Sequence, residues 1–157
     1  MTLSANAQKI QDALAALGMT LQVVELPAST RTAVEAAQAV HCQVGQIVKS
    51  LVFRAAHSER PVLVVASGAN RVNEALIGQV LGEPIGKADA DYVRLRTGFA
   101  IGGVPPLAHA EPLTIFIDQD LFQYAEIWAA AGTPHAVFCL TPAQLVAMTG
   151  GRVVQIT

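Results

Sequence analysis

Residues 98–109, G-F-A-I-G-G-V-P-P-L-A-H, join a short apolar run to two glycines and then two prolines. Glycine lets a backbone turn tightly and approach a ligand closely. Proline fixes φ and removes a backbone donor. Val104 and Pro105 each precede a proline, so both are biased towards extended geometry. The stretch predicts a stiff, non-helical loop leaving a strand, with the N–H groups of Gly102, Gly103 and Val104 free to face a ligand. A row of such groups can form an anion-binding concavity. A plain strand exit is the competing reading of the same residues.

On the N-terminal side, Ala7, Ile10, Leu14 and Leu17 recur at helical spacing and stop at Gly18. Gln22–Leu26 reads as an edge strand closed by Pro27. Thr32 and Glu35 form a capping-box pattern that opens a helix through Val40. Strands are expected at Ile47–Arg54 and Pro61–Ala66, joined by a polar hairpin loop at residues 57–59. The second of these is apolar almost throughout, as in a strand covered on both faces. Asn73 is placed to cap a helix that ends at Gly82, and Ala88–Thr97 reads as another, ending at Gly98 and feeding the 98–109 loop. On the C-terminal side, Leu113–Asp118 predicts a buried strand and Leu121–Tyr124 a short helical turn. Strands at 126–130 and 136–140 follow. Thr141, Pro142 and Gln144 start a helix to Met148, and a strand at 152–156 ends the chain. Strands and helices are mixed and do not strictly alternate, which predicts a mixed sheet with helices around it.

The chain has 157 residues, enough for a core and one domain by length. Hydrophobic residues at 52% against 14% charged exclude a disordered chain. No apolar run is long enough to span a bilayer, and the first residues lack a signal-peptide core. A cytoplasmic protein without membrane association is expected. Cys42 and Cys139 have no C-x-x-C spacing and read as reduced, buried structural thiols. A net charge of −2 argues against tight, non-specific binding to DNA or RNA, though not against contact with one RNA end. His41, His57, His109 and His135 are scattered without metal-ligand spacing, so no metal is expected.

The ordered set of Lys49 entering an apolar strand (I-V-K-S-L-V-F), a G-x-x-x-P pattern at Gly102–Pro106, the strand T-I-F-I-D ending in Asp118, and A-A-A-G ending in Gly132 resembles the YbaK family. This family is also called the prolyl-tRNA-synthetase-associated or editing-insertion domain. The resemblance runs over roughly residues 25–155. It implies one editing domain over residues 1–157, of mixed α/β (α+β) class, with a curved, barrel-like mixed sheet surrounded by helices. It also implies a trans-acting aminoacyl-tRNA deacylase that removes a mischarged small amino acid, of alanine or cysteine type, from tRNA for proline. The implied partners are the 3′ acceptor end of an aminoacyl-tRNA and prolyl-tRNA synthetase; no cofactor is implied.

Read from the residues alone, Lys49 is a strand-edge lysine extending its amine to water. The resemblance makes it the family's functional lysine, beside the ester, holding a terminal ribose or a phosphate. The Gly102 and Gly103 amides would bind the carbonyl oxygen, since donors aimed at a developing oxyanion contribute on the order of 3 kcal/mol each. The chain shows no G-x-S-x-G elbow, and the resemblance implies a water attacking the ester, positioned with help from the substrate's own ribose hydroxyl. Val104 and Pro106 would bound the pocket. His109 is placed either to bond substrate or to brace the loop. Asp118 and Asp120 read as an acid/base pair or as a strand end and a helix cap; the resemblance makes Asp118 a site residue. Ser67 and Gly68 are a ligand-facing strand exit or a plain turn. Thr32, Phe53 and Gly132 are pocket residues by family position. Two departures are visible: Ala108 stands where family members often have glycine, and S-G-A-N (67–70) lacks a frequent acidic residue. Rival readings are a non-catalytic module binding a tRNA end or a synthetase, and an esterase for free amino-acid esters.

Overall fold

The computed structural model describes residues 2–157. In chain order its elements are α1 (Ala5–Ala16), β1 (Val23–Glu25), α2 (Ala33–Val40), β2 (Ile47–Ala55), β3 (Pro61–Ser67), α3 (Glu74–Leu81) and β4 (Ile85–Lys87). Then come α4 (Ala90–Thr97), β5 (Thr114–Asp118), β6 (Ile127–Ala130), β7 (Ala136–Leu140), α5 (Pro142–Thr149) and β8 (Arg152–Val154). Short 3₁₀ turns occupy Val44–Gln46 and Gln119–Gln123.

All eight strands share one mixed sheet in the order β1-β7-β6-β2-β3-β5-β8, with β4 attached to β2. The β2–β3 pair is antiparallel, whereas β2–β6, β3–β5 and β5–β8 are parallel. Because β1 and β8 are free ends of the path, the sheet is open and not a closed barrel. The central strand β3 is buried from Pro61 to Ser67. Leu63 and Val65 join α1 residues Ile10 and Leu14 in the larger core cluster. The alternate residues Val62, Val64 and Ala66 pack with Phe53, Ile77 and Phe116 on the other face. Coverage on both faces is why this strand carries apolar residues without alternation.

Helix ends follow the local chemistry. The Thr32–Glu35 capping box is complete in both directions, as is that of Thr141 with Gln144. The Asn73 side chain accepts from Leu76 N, and Gly82 ends α3 in the left-handed region at φ 97°. Three expectations need correction. β4 was not foreseen, since three residues around a glycine give no periodic signal. Helix α4 starts at Ala90, because the Asp89 carboxylate accepts from Tyr92 N and makes Asp89 the cap. The 98–109 loop leaves this helix, as the helix reading ending at Gly98 implies, and not the strand suggested by its own apolar run: Gly98, at φ 84°, terminates α4. The Ala110 N–H then bonds the Thr97 carbonyl and closes the loop at its base.

Candidate active site

Strand β2 meets β3 from Val48 to Arg54 on one edge. On its other edge it meets β6 only at Ile47 and Val48 and β4 only at Phe53–Ala55. Lys49 to Val52 therefore have no strand beside them on that edge, and the sheet opens there. The opening is covered by the Thr30–Val34 segment leading into α2, by Ile101, Gly102 and Val104 of the loop, and by Lys87, Ala88 and Val93. Between them lies a cavity of about 570 Å³, within the range usual for small-molecule sites. Its wall carries neither a carboxylate nor an imidazole. The Ser50 hydroxyl, on this stretch of β2, is buried without a hydrogen-bond partner among the described residues.

The loop's glycines are required by close approaches. Gly102 sits at φ 92°, and a Cβ there would come within 2.8 Å of the Arg31 side chain, which lies across it. At Gly103 a Cβ would be 3.0 Å from the Thr133 backbone. The Gly103 amide donates to the Ala100 carbonyl at 3.0 Å, so the expected row of three free donors is reduced. The amides of Gly102 and Val104 have no acceptor among the described residues. Gly103 through Leu107 are buried, which places Pro106 in the loop's packed interior, off the cavity wall. Ala108 has φ 65°, so the family's glycine position is a left-handed one that this chain fills with alanine. The His109 Nε2 pairs with the Pro105 carbonyl at 2.7 Å. Burial holds its pKa below the ordinary histidine value; the Pro105 contact opposes this and the Lys9 charge adds to it. His109 thus braces the loop.

Lys49 lines the cavity, and its ammonium donates to the Asn70 carbonyl at 2.9 Å. The Asn70 side-chain amide in turn donates to Asp118 at 2.9 Å and Asp120 at 2.8 Å. The buried Asp118 carboxylate also accepts from Ser67 N and Asp120 N. These donors satisfy a polar group in a buried place. Asp118 is therefore a strand end and turn cap whose hydrogen bonds order the Asn70 loop beneath the lysine. Burial is the main cause lowering the Lys49 pKa, with Arg71 acting in the same direction and Asp118 against it. The Ser67 hydroxyl donates to the Gly45 carbonyl. Gly68 is packed so tightly that a Cβ would lie 2.4 Å from the Val44 carbonyl oxygen.

Of the residues singled out in the sequence, Thr32, Lys49, Phe53, Gly102 and Val104 line the cavity. Ser67, Gly68 and Asp118 lie behind Lys49, while Gly132, at φ 91°, packs against Asn6 and Phe99. Arg31, Ser50, Asn70 and Lys87 were missed. The capping box marked the neighbourhood of Arg31, the S-G-A-N loop that of Asn70 and the I-V-K-S-L-V-F strand that of Ser50; nothing in the residue pattern marked Lys87. Both cysteines are half-buried and free, so they are less enclosed than expected. Burial and the Glu126 carboxylate push the Cys139 thiol up to about 11. Among the described residues no cluster of His, Cys, Asp or Glu could hold a metal ion, and no helix is long and apolar enough to cross a membrane.

An open mixed sheet with a cation-bearing cavity at a gap beside its central strands, covered by a glycine–proline loop, gives a mixed α/β fold with a candidate small-ligand site. Residues 27–148 match the aminoacyl-tRNA editing domain, and the chain belongs to this family, which is YbaK-like. A solved structure of a candidate trans-editing enzyme for prolyl tRNA synthetase superposes with a TM-score of 0.94 at 50% identity, over 99% of each chain. The uncharacterized protein YwhH of Bacillus subtilis (strain 168) is 28% identical over 78% of this chain and 78% of its own length. The proline–tRNA ligase of Limosilactobacillus fermentum is 33% identical over 55% of this chain, but that match spans only 16% of the ligase.

Proposed function

We propose that this protein is a trans-acting deacylase that hydrolyses the ester of a mischarged small amino acid, of alanine or cysteine type, on tRNA for proline. The observation that carries the reading is the convergence of Lys49, Gly102 and Val104 on one cavity at the open edge of β2. Water adds to the ester carbonyl, and the amides of Gly102 and Val104 receive the developing oxyanion. The bond to the ribose oxygen then breaks, and that oxygen takes up the proton lost by the water. Lys49 sits beside the terminal ribose and orients the ester. The need for such an enzyme follows from the weak discrimination a synthetase pocket has between similar side chains, roughly 1–3 kcal/mol per methylene.

A panel of mischarged tRNAs tests this reading. Turnover is expected on alanyl- or cysteinyl-tRNA for proline and not on the correctly charged prolyl form. Equal rates on all esters, including free amino-acid esters, would remove the tRNA from the recognition. The cavity wall has no carboxylate or histidine to act as a base, which favours a second reading: binding of the acceptor end, or of prolyl-tRNA synthetase, without hydrolysis. Retention of an intact aminoacyl-tRNA across the whole panel would select it.

A further inference from the structure

Ten lysines and arginines give this chain no excess of positive charge, since twelve acidic residues oppose them. Their distribution is uneven. Arg54, Arg60 and Arg96 are held in salt bridges, whereas Arg31 and Lys87, both exposed, have no acidic partner among the described residues. Both line the cavity from different elements, one ahead of α2 and the other at the end of β4. The acidic residues next to them along the chain are engaged elsewhere. Glu35 accepts from the Thr32 N–H and hydroxyl, and Asp89 accepts from Tyr92 N. The stem of Arg31 lies across Gly102, so its guanidinium is carried beside the glycine turn. The Lys49 amine, in contrast, is already bonded to the Asn70 carbonyl. Val34 and Ile101, two of the exposed large apolar side chains, stand at the same cavity.

We infer that Arg31 and Lys87 are the residues that grip the phosphodiester groups of the single-stranded acceptor end, one from each side of the cavity mouth. This rests on the deacylase reading for the identity of the RNA, and it moves the phosphate-holding role away from Lys49. A guanidinium matches a phosphate with paired donors, and an ammonium meets it as a point charge. Val34 and Ile101 offer apolar contact to the terminal nucleotide between the two cations. Lys49 is left to the ester and its ribose.

The test is binding of a fluorescein-labelled RNA hairpin ending in single-stranded CCA, titrated from about 50 to about 200 mM salt, alongside deacylation kinetics. Each phosphate contact in single-stranded RNA contributes about 0.7 to the slope of log K against log salt. Arg31→Gln and Lys87→Gln are each expected to reduce that slope by about 0.7, and the double variant by about 1.4. In deacylation the loss is expected in KM far more than in kcat. Arg31→Lys should restore most of the slope, and Arg152→Gln, on β8 at the free end of the sheet, should change nothing. RNA binding that depends on both residues without any deacylation supports this inference and overturns the deacylase reading. Deacylation by the wild type with unaltered slope and KM in both variants overturns the inference alone. Absence of both binding and turnover in the wild type overturns both.

Discussion

Ala108 shows how one residue registers both the fold and its departure from a family pattern. Its φ of 65° puts a Cβ in the left-handed region, which costs an L-residue roughly 1–2 kcal/mol. Ala108→Gly relieves that strain but frees the unfolded chain, so a net gain of about 0.5–1 kcal/mol in urea unfolding is expected. Asp118 behaves oppositely. Its buried carboxylate accepts from Ser67, Asn70 and Asp120, and removing it strands the Ser67 and Asp120 amides and leaves the Asn70 side chain on Asp120 alone. Asp118→Ala is expected to cost roughly 3 kcal/mol in the same measurement. Its loss also removes one of the two carboxylates that hold the Asn70 side chain, and so loosens the residue whose backbone carbonyl receives Lys49; deacylation should therefore fall further than folding does at low denaturant. Neither role could be read from spacing alone: an aspartate at a strand end reads equally as catalyst or cap until its partners are known.

Among the elements, the 98–109 loop carries the most information. Its sequence announced a rigid turn correctly, because glycine and proline act locally. What it concealed was the direction of each amide. Gly103 looks like a free donor in the sequence but spends its amide on Ala100. Capping signals were legible for the same local reason, at Thr32, Asn73 and Thr141. The three-residue strand β4 was not, since only its pairing with β2 makes it a strand. The loop is also expected to sense pH through His109. Burial lowers its folded pKa, so the unfolded chain takes up the proton first as pH falls below about 6.5. The stabilisation is therefore fully present above about 6.5 and is lost on acidification towards the folded pKa. Urea unfolding at about pH 7.5 and about pH 5.5 should show this loss in the wild type, and His109→Gln should flatten it.

Across the whole molecule, the arrangement that matters is an interruption. β2 is shared between β6 at one end and β4 at the other, and the cavity occupies the place where a continuous neighbour would lie. The order of strands and helices foresaw the mixed sheet, and the apolar run at 62–66 foresaw the doubly covered β3, because that run is a property of the strand itself. The gap was illegible because it depends on which strands stop short, a matter of long-range pairing. The same holds for Arg31, whose position over Gly102 joins residues distant in the chain. The family resemblance brought Lys49 and the glycine turn to one site; the sheet's opening gives the geometry by which both reach a single cavity. The most direct measurement compares single-turnover deacylation of alanyl-tRNA for proline by the wild type and by Lys49→Ala, with folding of both checked by urea unfolding. The expected result is a rate at least about 100-fold lower in the variant, on the scale of losing one positioned polar group at a reacting centre. Equal rates in two equally folded proteins would contradict the account.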